Sequence, residues 1–118
     1  MAEKNAVVYL VDMVDACEKI LRYCENRTLA EFVDDTLLFD AVLRNLTVLG
    51  EAAGRFDRLW TTGYSDAPWA AITGIRHRVV HNYGHVDPEI VWDTVQEDVP
   101  AILKKLKRIL SDMGSGML

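Results

Sequence analysis

The sequence predicts an all-α fold, an antiparallel four-helix bundle with a kinked or split last helix. Three observations predict it. Four segments carry apolar residues spaced alternately three and four apart, which keeps one face of a helix apolar. No segment alternates with period two for long enough to make a strand. Turn-forming residues fall between the four segments and seldom within them. A length of 118 residues suits one domain with a core of its own, and the expectation is a single helical domain over residues 1–118.

The first helix is marked by Val7, Leu10, Val14, Cys17, Leu21 and Cys24, and "ENRT" ends it. Cys17 and Cys24 lie roughly 10 Å apart along such a helix, beyond disulfide reach. They read as small buried apolar residues in a reducing compartment. An acidic approach, "EFVDDT", leads to the second helix, marked by Phe39, Val42, Leu46, Leu49, Ala53, Phe56 and Trp60. The loop "TTGYSDAP" offers Ser65 or Asp66 as N-cap and Pro68 in the first turn of the third helix. Trp69, Ile72, Arg76, Val79 and Tyr83 mark that helix, and "YGHVDPE" breaks it, with Asp87 as the next N-cap and Pro88 at the first helical position. Trp92, Val95, Val99, Ile102, Leu106 and Ile109 mark the fourth, and Pro100 within it should kink or divide it near Asp98. Residues from about 112 to 118, ending "GSGML", are expected to fray.

The N-terminus lacks the pattern of a signal peptide. No stretch approaches the ~18 uninterrupted apolar residues of a membrane helix. The expected location is cytoplasmic, with no membrane partner. A formal net charge of −5 argues against holding nucleic acid by bulk electrostatics, so any basic contacts must be local.

They are local in "RHRVVHNYGH", residues 76–85, which holds all three histidines. With Arg76 at zero and ~100° per residue, Tyr83 falls near −20°, Trp69 near 20°, Ile72 near −40° and Val80 near 40°. Arg76 therefore sits on the apolar face, while His77 and His81, near 100° and ~140°, share a flank. A guanidinium is costly to bury alone. An internal ion pair, a contact in a dimer or a pocket for an anion would each explain it. An obligate cation, imidazoles and a phenol within two turns also suit RNA cleavage without a metal. A histidine can move the proton of the ribose 2′-hydroxyl or of the leaving 5′-oxygen, and an arginine can stabilise the charge gained at phosphorus. The ~140° between Arg76 and His81 requires an irregular helix or a second chain. A metal site on His77, His81 and His85 is disfavoured because Gly84 interrupts the helix before His85 and no cysteine or histidine elsewhere completes a set.

"RHRVVHNY" resembles the Arg-x4-His-x-Tyr motif of the HEPN superfamily, in its HepT-like branch of small helical toxins. The likeness extends to "DAVLRNLTVLGEAAGRF" (40–56) and to "PWAAITGIRHRVVHNYGHVDPEIVWDTVQEDVPAIL" (68–103). The resemblance implies a HEPN-like homodimer whose motifs meet at the interface. It implies a metal-independent endoribonuclease, without cofactor, that is the toxin of a HEPN/MNT toxin–antitoxin system. Its partners would be an RNA substrate such as tRNA or mRNA and an MNT-type nucleotidyltransferase antitoxin, which transfers AMP to the motif tyrosine. Carried onto this chain, Arg76 and His81 are the catalytic pair, His77 and Asn82 support them, and Tyr83 is the AMPylation site. Asn82 stands where the family commonly has glycine, and Gly84 where an aromatic residue often follows the tyrosine.

On the second helix, Arg44, Glu51, Arg55 and Arg58 form a polar flank, with Asn45 at the edge of the apolar stripe. Surface pairing and a satisfied buried amide are the simpler account. Arg44, Asn45 and Glu51 are also candidates for bracing the motif helix or contacting RNA. Two readings compete with the ribonuclease. One is a non-catalytic helical dimer that docks a nucleotidyltransferase and binds nucleotide; the other is a structural dimer whose motif is an interface ion pair.

Overall fold

A computed structural model describes residues 2–60, 69–81 and 85–116. The side chains of residues 2–5, 57–60, 76, 80, 81, 85 and 114–116 lie outside that description. The architecture is all-helical apart from a two-residue antiparallel pairing. Helix α1 spans Ala2–Cys24, α2 Leu29–Asp34, α3 Thr36–Trp60, α4 Trp69–Thr73 and α5 Ile75–Val79. Strands β1 (Val80–His81) and β2 (His85–Val86) follow, then α6 (Pro88–Asp93), a π-helical turn over Thr94–Asp98, and α7 (Val99–Gly116).

Helix α1 packs between α3 and α7, which widens its buried face. Leu10, Cys17 and Cys24 are buried as expected, but Ala6, Met13 and Ile20 are fully buried too, while Val7 and Leu21 are only partly covered. Burial pushes the Cys17 thiol up to about 12 and the Cys24 thiol up to about 11, so both behave as apolar core groups. The helix ends where Asn26 turns to a φ of 61° and the Arg27 amide closes on the Cys24 carbonyl.

The acidic approach holds a helix of its own. Thr28 and Glu31 form a reciprocal capping box, the Glu31 amide donating to Thr28 Oγ1 at 3.2 Å and the Thr28 amide to Glu31 Oε1 at 2.9 Å. Phe32 of this α2 is fully buried against Phe39 and Trp92, with ring centroids 5.6 and 5.3 Å away. Asp35 then caps α3 by accepting from the Leu38 amide at 3.0 Å. The α3 stripe of Val42, Leu46, Leu49, Ala53 and Phe56 is buried as its spacing predicts.

Asp87 is the N-cap of α6, its carboxylate accepting from the Glu89 amide at 2.9 Å, with Pro88 in the first turn, as the sequence predicts. The irregularity expected near Asp98 is the π turn, where the Val99 amide reaches back to the Thr94 carbonyl. Pro100 has no N–H for the Gln96 carbonyl and its ring crowds that oxygen, and a widened turn relieves the clash. Helix α7 continues to Gly116, past the expected start of the tail, because buried Met113 extends its apolar stripe by one turn beyond Ile109. The predicted caps Ser65 and Asp66, together with Pro68, lie outside the described residues.

Two glycines of α3 set its distance from α4. A Cβ on Gly50 would lie 3.3 Å from the Thr73 carbonyl oxygen and 3.4 Å from that of Ile72. A Cβ on Gly54 would meet only the Thr73 side chain, Cγ2 at 3.5 Å and Oγ1 at 3.9 Å. Gly50→Leu is therefore expected to destabilise by about 1–3 kcal/mol through overpacking. Gly54→Ala should stabilise by about 0.5–1 kcal/mol through helix propensity. Thermal unfolding followed by circular dichroism checks both, and equal effects at the two positions would refute the close approach.

Candidate active site

The motif is carried by α4, α5 and the strand pair that follows. Trp69 starts α4 and stacks on Phe56 of α3, ring centroids 4.7 Å apart. Helical hydrogen bonding passes through Gly74: its amide donates to the Ala70 carbonyl at 3.0 Å, and the Arg78 amide donates to the Gly74 carbonyl at 2.9 Å. Ile72, Ile75 and Val79 are buried, so three side chains fasten this stretch to the core.

The expectation of one helix reaching Tyr83 is corrected: α5 ends at Val79 and the chain becomes extended at Val80. Adjacent β-branched Val79 and Val80 hold helix poorly and extended chain well. Val80 pairs with Val86, and His81 with His85, in antiparallel register. The ~140° separation of Arg76 and His81 belonged to a regular helix, and it does not apply to a residue beyond the helix end. The i, i+4, i+8 alignment of His77, His81 and His85 is lost for the same reason.

The predicted site residues separate as follows. Arg76 lies in α5, and its side chain lies outside the described residues. His77 is exposed on α5. His81 lies on β1 opposite His85, a neighbour that the helical reading did not give it. Asn82 and Tyr83 fall outside the described residues. On α3, Arg44 is exposed, and Asn45 is buried with its amide donating at 2.9 Å to the Ala41 carbonyl of its own helix. Glu51 lines a cleft of about 110 Å³ between α1 and α3, beside Arg55, whose guanidinium lies 5.9 Å from the Tyr9 ring centroid. Glu51 thus faces α1, and Asn45 satisfies its own helix.

Sequence reasoning missed Arg78. Its Nη2 donates to Asp98 Oδ2 at 2.9 Å, tying α5 to the π turn. The pair borders a groove of about 250 Å³ lined also by Ala71, Ala101, Ile102 and Lys105. A separation of 20 residues leaves no periodic signal for such a pair.

A family model described as "Ribonuclease HepT-like" matches residues 13–109, from within α1 to within α7. The chain belongs to the ribonuclease HepT-like family. It is 29% identical over 113 residues to a Methanocaldococcus jannaschii protein named "Putative RNase", covering 96% of this chain and 93% of that one. A second "Putative RNase", from Caldanaerobacter subterraneus subsp. tengcongensis, is 30% identical over 102 residues, 86% of this chain and 91% of its own. A Thermococcus cleftensis protein named "Probable ribonuclease HepT" is 29% identical over 101 residues, 86% and 92% of the two chains. No solved structure gives a significant match. The HepT-like match spans α4, α5 and the strand pair whole. Among the described residues, no helix is long and apolar enough to cross a membrane.

The Asp87 cap lies between β2 and α6, so it fixes where β2 ends and α6 begins. Asp87→Ala should cost about 1 kcal/mol, seen as a lower midpoint in thermal unfolding. An unchanged midpoint would show that the cap contributes nothing.

Proposed function

We propose that this chain is the toxin of a HEPN/MNT toxin–antitoxin system, a metal-independent endoribonuclease acting in the cytoplasm as a homodimeric four-helix bundle. The observation that carries the reading is membership of the ribonuclease HepT-like family over a span that includes Arg76 and His81. Its chemistry needs no cofactor. The 2′-oxygen attacks phosphorus as its proton is taken by a base, and the bond to the 5′-oxygen breaks as that oxygen receives a proton. His81 moves one of these protons, and Arg76 stabilises the negative charge gained at phosphorus. His81 of the second copy handles the other proton, which is why the site forms where two chains meet. His77 and Asn82 support the pair. The departure of His81 from the helix supports this reading, since it removes the angular obstacle to a shared phosphate.

Control falls to Tyr83. Transfer of AMP by an MNT-type nucleotidyltransferase adds bulk and negative charge beside Arg76 and competes with the RNA phosphate. The net charge of −5 favours one alternative, a non-catalytic dimer that docks the nucleotidyltransferase and binds nucleotide, because generic RNA is held weakly.

Purified protein should cut RNA in the presence of EDTA and leave 2′,3′-cyclic phosphate ends. Arg76→Ala and His81→Ala should each lower the cleavage rate by about 10²–10³-fold, the scale of losing a charge-stabilising or proton-transferring group, with the helical circular-dichroism signal kept. Cleavage retained in both variants would point to contamination or a different site, and cleavage absent from the wild type would favour the docking dimer. Tyr83→Phe should stay toxic when co-expressed with the antitoxin and show no AMP adduct by intact mass; full neutralisation of that variant would remove AMPylation from the account.

A further inference from the structure

Helix α5 is five residues long, too short to hold its own geometry in water. Ile72, Ile75 and Val79 fasten the α4–α5 stretch along one side. A short helix pinned along one line can still roll about that line. Arg78 lies ~120° around the helix from Ile72 and ~60° from Ile75, to one side of the pinned line, where a tether opposes the roll. That tether is its 2.9 Å bond to Asp98. The side chains of this pair are 47% and 43% exposed, so it adds little to global stability. What it fixes is an angle.

The π turn makes the tether reachable. A π turn accommodates one extra residue, and without it every following residue would face ~100° away. Asp98 closes that turn, so the widening aims its carboxylate at α5. The small side chains of Ala71 and Ala101 line the same groove and leave room for the pair.

We propose that Asp98, held by the π turn, is a positioning residue that acts through Arg78 and sets the roll of α5, so that Arg76 and His81 address one phosphate. The proposal rests on the ribonuclease reading. It assigns a mechanical role to the helix irregularity that Pro100 imposes.

Steady-state RNA cleavage, thermal unfolding and amide exchange of α5 test it on the full chain. Asp98→Asn is expected to lower kcat about 10-fold, the scale of a sub-ångström misplacement, with KM and the unfolding midpoint unchanged. Amide exchange across residues 75–81 should quicken in the same variant. The charge-reversed pair Arg78→Asp with Asp98→Arg should recover most of kcat and of the exchange protection, and Lys105→Ala should match the wild type. An unaltered kcat in Asp98→Asn overturns the proposal. So does a kcat loss that tracks a lowered midpoint, which marks a merely structural pair. A raised KM shared by Asp98→Asn and Lys105→Ala also overturns it and makes the groove an RNA-binding surface. A wild type that cuts no RNA sinks the ribonuclease reading itself, whereas unchanged exchange in Asp98→Asn sinks the tether alone.

Discussion

The approach of α4 to α3 at Gly50 governs how the motif is presented. The carbonyls of Ile72 and Thr73 sit where a side chain on residue 50 would otherwise be. That lets Trp69 reach Phe56 and lets Ile72, Ile75 and Val79 reach the core. Packed interiors accommodate a displaced element poorly. A larger residue at 50 would press on the carbonyls of Ile72 and Thr73 and displace α4, and with it the start of α5. The depth of the motif helix is thus decided on α3, more than twenty residues before Arg76 in the chain.

A helix held at fixed depth still needs an end. Apolar periodicity carries on from Val79 to Tyr83 and gives no warning of one, because a stripe reports which face is buried and not where hydrogen bonding stops. Gly84 marks an end in the sequence, but the adjacent valines place it four residues earlier, at Val80. Ile72 and Val79 of the predicted stripe are buried, so the packed side of this stretch was legible. The surroundings of position 81 were not, since its neighbour His85 arrives through strand pairing.

Elsewhere, what could be read depended on how many neighbours an element has. The α3 and α7 stripes were read correctly from their larger apolar residues. Helix α1, between two partners, buries Ala6 and Ala16 as well, and alanine is as common on helix surfaces as in cores. Helix α2 is six residues, too short for a period to show, yet its Thr-x-x-Glu box was written in "TLAE". Asn45 was placed at the edge of a stripe as a satisfied amide, and it donates within its own helix. Arg78 was illegible because its partner comes from a distant turn.

The charge of the chain sharpens what the site must do. Lys19, Arg27, Arg78 and Lys107 are each tied to a carboxylate within 4 Å, so cationic charge is spent locally across much of the surface. Long-range attraction of a polyanion is then weak, and recognition depends on short-range contacts made once the anion arrives. A guanidinium taken out of water is costly without a negative partner. In a chain with net charge −5, a cationic motif favours a ligand that brings its own negative charge, and each hydrogen bond to it counts for more wherever water is excluded.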